Sequence, residues 1–361
     1  MSTAEGAPPR RPSLDPASAA IRNAVRQALA DVDVRSGSDG GTGSEGRAGP
    51  GALPGVIVAV SGGADSMALL HACAFLNRRG ELSARAVTVD HGLQSSSAEV
   101  ARRVVSIAES WGVPAEIATV SIDAGDEGVE AAARDARYEA LEEARTVHAA
   151  DWVLTAHTRN DQAETVLLGL MRGSGTRSLA GMALRTGRVV RSLLDVERAT
   201  NVASCRAQGI EVWHDPMNAD DSFARVRARS LLASVEADLG QPITANLART
   251  AELCRADADY LDERAEAHAA KVRGHTEVPL AGLTGLDGAI LSRVVRDWAV
   301  SLGVPAQAIG AARVSRLCAL IRNTAQPGAR RSGCERLSLP GDTEAIVGEG
   351  LLRFGRDAKT R

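Results

Sequence analysis

Six consecutive residues, Ser61-Gly62-Gly63-Ala64-Asp65-Ser66, follow a strand-length apolar run (Val56 to Val60) and precede a helical stretch (Met67 to Arg78). Two glycines let the backbone curl so that its amides point inward, and the helix start adds positive dipole. Together they make a cradle for an anion such as phosphate. Ser61 and Ser66 supply hydroxyl donors. Asp65 is poorly placed beside phosphate unless Mg2+ lies between them. No Gly-Lys-Ser/Thr is present, and the only lysines, Lys271 and Lys359, are remote in sequence, so this is not a Walker A loop. The plain alternative is a glycine-rich turn with Asp65 capping the helix.

A second cluster of chemistry-bearing residues falls at His157, Asp161 and Glu164. Asp161 and Glu164 are three apart and share one face of a helix. An acidic first turn is also an ordinary helix feature, and a lone histidine at a strand end is more often a satisfied turn residue than a catalyst.

The elements that must position these groups alternate along the chain. Strands are expected at Val56–Val60, Arg85–Val89, Glu116–Val120 and Trp152–Ala156. Helices are expected at Met67–Arg78, Ala98–Trp111, Glu130–Ala149 and Asn160–Arg172. Short apolar strands alternating with amphipathic helices predict an α/β fold with a doubly wound parallel sheet. From Phe223 to Lys271, and again from Ala289 to Asn323, the pattern is helical. A tail with Pro340, Gly341, Gly348 and Gly350 between apolar residues predicts small strands.

Further segments accompany the loop: Val89-Asp90-His91-Gly92-Leu93, Glu130 to Tyr138 with Arg134 and Arg137, and Thr155-Ala156-His157-Thr158-Arg159-Asn160-Asp161-Gln162-Ala163-Glu164-Thr165. Arg191-Ser192-Leu193-Leu194, Trp213-His214-Asp215-Pro216 and the run Arg225, Arg227, Arg229 continue in order. The loop resembles the signature of the PP-loop ATP pyrophosphatase superfamily. The whole series, over roughly Gly55 to Leu232, resembles the tRNA(Ile)-lysidine synthase family. Two departures stand out. Thr158 and Asn160 replace the second His and first Asp of the usual His-His-x-Asp-Asp, and Ser192 replaces the proline of Arg-Pro-Leu-Leu.

The resemblance implies a PP-loop, adenine nucleotide alpha hydrolase-like sheet whose first and fourth strands are neighbours. It implies that ATP binds at Ser61, Gly62, Gly63, Ala64, Asp65 and Ser66, with Asp90 and His91 shaping the adenosine pocket and Mg2+ on Asp65. The implied catalytic residues are Asp65, Arg137, His157, Asp161 and Glu164. Asp161 and Glu164 would receive the two ammonium groups of L-lysine, which is joined to the wobble cytidine of a CAU-anticodon isoleucine tRNA. Rival readings are a PP-loop tRNA thiolase, disfavoured because no cysteine flanks these motifs, and a catalytically weakened tRNA-binding paralogue.

Composition sets the outer bounds. The 361 residues carry a net charge of −3, so the chain is not coated in basic charge and any RNA contact must be local. Arg225, Arg227 and Arg229 are candidates, as are Arg313 and Arg316, which share a helical face within Trp298–Cys334, a stretch lacking Asp and Glu. A solvated surface helix in an arginine-rich chain is the bland alternative. The five cysteines form no Cys-x-x-Cys pair. No signal peptide or membrane span is visible, so a cytoplasmic protein without a membrane partner is expected. The expected organisation is residues 1–54 as a largely disordered extension with a short helix (Ile21 to Val34) and a Gly/Ser linker, 55–222 as the ATP-binding domain, and 223–361 as a helical tRNA-binding region. Oligomeric state, a homodimer included, stays open.

Overall fold

The computed structural model describes residues 15–38, 53–92, 97–121, 129–173, 175–215, 220–306, 308–324 and 334–356. It divides into two compact units, Met1–Leu168 with Gly181–Arg249, and Gly169–Ala180 with Thr250–Arg361.

The elements run α1 (Pro16–Ser38), β1 (Gly55–Ala59), α2 (Ala64–Arg78), β2 (Ser83–Asp90), α3 (Ser97–Ser110), β3 (Ala115–Thr119) and α4 (Val129–Val147). They continue with β4 (Trp152–Leu154), α5 (Arg159–Met171), α6 (Thr176–Leu179), β5 (Arg185–Thr186), β6 (Val189–Val190), α7 (Arg198–Ala207) and α8 (Ala224–Leu239). The first unit is built on a sheet of order β3-β2-β1-β4-β6-β5. All neighbours are parallel except β5 and β6. This is the expected doubly wound α/β sheet. Strand order turns back at β1, which pairs with β2 on one side and β4 on the other, and ligands of such sheets bind beyond the strand ends at that point.

Helices cover both faces of this sheet, which is why its central strand reads as a continuous apolar run. Val56 and Val58 face one core with Leu69, Leu70 and Leu76 of α2. Ile57, between them, faces the other with Val87, Leu141 and Val153. The N-terminal helix differs from its expected place. α1 is longer than Ile21–Val34, and its stripe of Ile21, Val25, Ala28, Leu29 and Val32 lies inside the first core. It therefore belongs to the folded unit, because an apolar stripe at helical spacing must be covered. The expected disorder before Pro16 and most of the Gly/Ser linker lie outside the described residues.

The second unit contains α9 (Ile243–Ala269, of which its larger, C-terminal part belongs here), β7 (Glu277–Pro279), α10 (Ala281–Thr284), α11 (Gly288–Ser301) and α12 (Ala311–Thr324). The expected small strands follow as β8 (Glu335–Leu339), β9 (Thr343–Gly348) and β10 (Leu351–Arg356). They form an antiparallel sheet of order β7-β10-β9-β8. Trp298 anchors its core, edge-on to Phe354 at 4.6 Å between ring centroids, with its indole N–H donating to the His275 carbonyl at 2.6 Å. The boundary between units falls after Arg249 rather than after residue 222. Helix α8 and its arginines thus belong with the sheet and not with the C-terminal region, since Arg229 reaches Glu164 of α5.

Candidate active site

Beyond Ala59 the chain turns through Ser61-Gly62-Gly63 into α2. Gly62 has φ of +85°, a conformation that glycine adopts at no steric cost. A Cβ at this position would come within 3.2 Å of Val100 Cγ1. The Gly62 carbonyl accepts the Trp213 N–H at 2.9 Å, fixing the loop to a distant segment. Ser66 Oγ donates to the Gly63 carbonyl at 2.9 Å and accepts the Ser61 N–H at 3.1 Å. Gly63 holds the N-cap position and no side chain caps the helix. Asp65 is therefore not a capping residue. The first turn of α2 keeps its amides without a side-chain acceptor, as an anion cradle requires.

Asp65 instead reaches toward α7. Its Oδ1 accepts the Asn201 amide at 2.7 Å and its Oδ2 accepts Arg198 Nε at 3.1 Å. The same guanidinium donates through Nη2 to Asp161 Oδ1 at 2.7 Å and stands 3.5 Å from Glu164 Oε1. Arg229 Nε donates to Glu164 Oε1 at 2.7 Å. Three carboxylates from two helices are thus tied to two arginines. Sequence reasoning missed Arg198 and Asn201. They lie more than 130 residues from Asp65, and nothing local marks them.

The start of α5 gives Thr158 and Asn160 each a place in this cluster. The Thr158 hydroxyl donates to Asp161 Oδ2 at 2.7 Å, and the Thr158 N–H donates to the same oxygen at 2.8 Å. Asn160 Oδ1 accepts the Arg198 main-chain N–H at 2.9 Å, holding the start of α7. Thr158 and Asn160 therefore act on the cluster through Asp161 and Arg198.

Burial and charge push these groups in different directions. Desolvation raises the Asp65 carboxyl above its ordinary range, against the pull of Asn201 and Arg198. Burial also opposes the charge of Asp161, but Arg198, the two Thr158 donors and His157 hold its carboxyl below that range. Burial brings His157 down to about 4, with Arg191, Arg134 and Arg225 adding to the effect and Asp161 opposing it. Its ring is neutral at physiological pH, with Nδ1 3.0 Å from Thr155 Oγ1.

These residues line one cleft of about 540 Å³, the size of a nucleotide-class site. Ser61, Asp65, Ser66, His91, Arg137, His157, Asp161, Glu164, Arg225 and Arg229 all border it. Gly62, Gly63 and Ala64 form the loop beneath. Arg137 is exposed. His91 brings a buried Nδ1 without a hydrogen-bond partner to the cleft wall, whereas Asp90 is turned away to accept the Gly92 N–H at 2.9 Å. Arg227 is exposed and turns back onto the carbonyls of Asp221 and Ser222. In the second unit, Arg313 and Arg316 border a shallow groove with Arg336 and Ser338. Among the described residues, no helix is long and apolar enough to cross a membrane.

Comparison with known proteins agrees with the fold. A model of the PP-loop domain matches residues 50–236, the stretch from just before β1 into α8. The tRNA(Ile)-lysidine synthase of Thermobifida fusca is 46% identical over 88% of this chain and 94% of its own length. The synthases of Salinispora arenicola and Streptomyces coelicolor are 44% and 45% identical. They align with 88% and 83% of this chain, and with 92% and 84% of their own lengths.

Proposed function

The chain belongs to the tRNA(Ile)-lysidine synthase family of PP-loop enzymes, and from that premise we propose that it ligates L-lysine to C2 of the wobble cytidine of CAU-anticodon tRNA(Ile), consuming ATP. The carrying observation is the single cleft in which the phosphate loop faces the acidic start of α5, with Arg198 in contact with both.

Cytidine C2 bears a carbonyl oxygen, a poor leaving group. In the first step this oxygen attacks the α-phosphorus of ATP, the bond to the bridging oxygen breaks, and diphosphate leaves. In the second, the neutral ε-amine of lysine adds to C2, AMP departs with the former carbonyl oxygen, and the amine gives up a proton. The Ser61–Ser66 loop holds the phosphates through amides and hydroxyls, fixing the α-phosphorus in line with the attacking oxygen. Asp161 and Glu164 take the ammonium charge of lysine. His157 stays neutral and contacts phosphate or base without adding charge. Arg137, at the exposed edge of the cleft, and Arg225 meet the incoming RNA. Arg227, Arg313 and Arg316 offer further phosphate contacts on surfaces reached by solvent.

Mg2+ fits the donor set at Asp65. Both of its oxygens already accept hydrogen bonds from Asn201 and Arg198, but a carboxylate has about four lone-pair positions, and Mg2+ commonly takes one or two carboxylates together with substrate phosphates. The bound ion would neutralise charge on the departing diphosphate. A thiolase reading is disfavoured by the buried thiols: burial pushes Cys73 up to about 12 and Cys205 up to about 11, so neither offers a thiolate. A tRNA-modifying role of this kind places the protein in the cytoplasm.

The test is incorporation of radiolabelled lysine into unmodified CAU-anticodon tRNA(Ile) with ATP. Product is expected from the wild type and none from Asp65→Ala or Asp161→Ala. Binding of both ATP and tRNA without lysine transfer would overturn the proposal.

A further inference from the structure

The carboxylates assigned to the lysine ammonium already carry a cation. Asp161 accepts three hydrogen bonds, two from Thr158 and one from Arg198 Nη2. Glu164 accepts Arg229 through Nε at 2.7 Å and Nη2 at 3.5 Å, and meets Arg198 Nη1 at 3.5 Å. With about four acceptor positions on a carboxylate, each has roughly one left. An ammonium brings three donors and needs more than that.

Of the groups in the cluster, Arg198 is the one placed to give way. Arg229 is the more exposed of the two arginines at 38%, but Arg198, at 26%, is the one that contacts both Asp161 and Glu164, and it holds Glu164 only at 3.5 Å against 2.7 Å for Arg229. The Arg198 main chain is fixed by Asn160, so the side chain can move without disturbing α7. Its contact with Asp65 uses Nε, a different nitrogen from the Nη2 and Nη1 that meet α5. The three carboxylates exceed the two guanidinium groups by one negative charge, so an arriving ammonium finds only a partly compensated site.

We propose, building on the functional reading above, that Arg198 is the resident counter-ion of the amine subsite: it competes with the lysine ammonium for Asp161 and Glu164, and keeps Asp65 aligned once displaced from them. Arg198 is thus a positioning residue and not a catalytic one. Its competition weakens lysine binding, and its hold on Asp65 sustains the chemical step. These two effects have opposite consequences for KM and kcat.

The experiment measures lysine KM and kcat in the tRNA incorporation assay for wild type, Arg198→Met and Arg198→Lys, with thermal melting as the folding check. Loss of one neighbouring positive charge is expected to lower the lysine KM about tenfold in Arg198→Met, while kcat falls about tenfold or more. Arg198→Lys, whose single ammonium cannot span both helices, is expected to shift both in the same senses by less. A lysine KM that rises alongside the fall in kcat, or stays at the wild-type value, overturns the proposal. If Arg198→Met does not fold, Arg198→Lys decides by the same criterion. A wild type that transfers no lysine defeats the functional reading itself, whereas an active wild type with a raised or unchanged KM in the variants defeats only the role given to Arg198.

Discussion

Thr158 and Asp161 cap their own helix reciprocally: the Thr158 hydroxyl and N–H both donate to Asp161 Oδ2, at 2.7 and 2.8 Å, and the Asp161 N–H points back to Thr158 Oγ1 at 3.3 Å. This is a capping box with aspartate in the third position. It ties the stability of α5 to the ionisation of a residue in the cleft. Thr158→Ala is expected to cost about 1 kcal/mol of stability. It also removes a donor that holds the Asp161 carboxyl low, so the acid-side loss of lysine binding should move to higher pH. Urea denaturation and lysine titration across pH check the two parts separately.

Gly62 faces two constraints at once, a φ of +85° and a Cβ position 3.2 Å from Val100 and 3.4 Å from Val104. Gly62→Ala is expected to destabilise the protein by about 1–2 kcal/mol and to weaken ATP binding more than tRNA binding, because the loop must shift to relieve the contact. Calorimetric ATP titration and tRNA filter binding provide the comparison.

The sheet and the phosphate loop were legible because both are local. The continuous apolar run Val56–Val60 needs only its neighbours to read as a strand, and two glycines between strand and helix announce a turn. The pairing of β1 with β4 came from family resemblance and is borne out. Arg198 was not legible: its meaning depends on α7 folding back against α2 and α5, a relation with no mark in the residues around it. Arg229 was read as an RNA contact from its alternation with Arg225 and Arg227, yet it lies against Glu164, because α8 is a helix that puts Arg225 and Arg229, four apart, on the cleft face and turns Arg227 away. The stripe of α1 was visible, but a stripe does not say which core will cover it.

Asp65 illustrates a conflict between stability and chemistry. Desolvation raises its carboxyl above the ordinary range, so its charged form is disfavoured in the folded state and weakens the fold as pH rises through the carboxylate range. Asp65→Asn removes that charge and leaves a similar shape. At pH 8 the variant is expected to melt no lower than wild type, while lysine transfer falls at least about a hundredfold, the direction common to polar active-site residues. Differential scanning calorimetry and the incorporation assay supply the two values. A marked drop in melting temperature would show that the contacts to Arg198 and Asn201 outweigh desolvation.

Acid sensitivity should begin well above the carboxylate range. Burial brings both His71, edge-on to Trp111, and His157 down to about 4. Between pH 6.5 and 4 the unfolded chain binds a proton at each histidine and the folded chain does not, so stability falls as pH falls through this window. Between pH 7 and 5 each ring contributes a loss on the order of 1–2 kcal/mol. Asp65 works in the opposite sense, its raised carboxyl favouring the folded state on acidification. Asp161, held low, loses its contribution only when pH falls further. His71→Gln lies in α2 away from the cleft contacts. It should keep lysine transfer while removing the His71 share of the loss between pH 7 and 5, leaving those of His157 and of His91, also held low by burial. Urea denaturation of wild type and variant at the two pH values measures this directly, and equal losses in both would exclude His71 as a source.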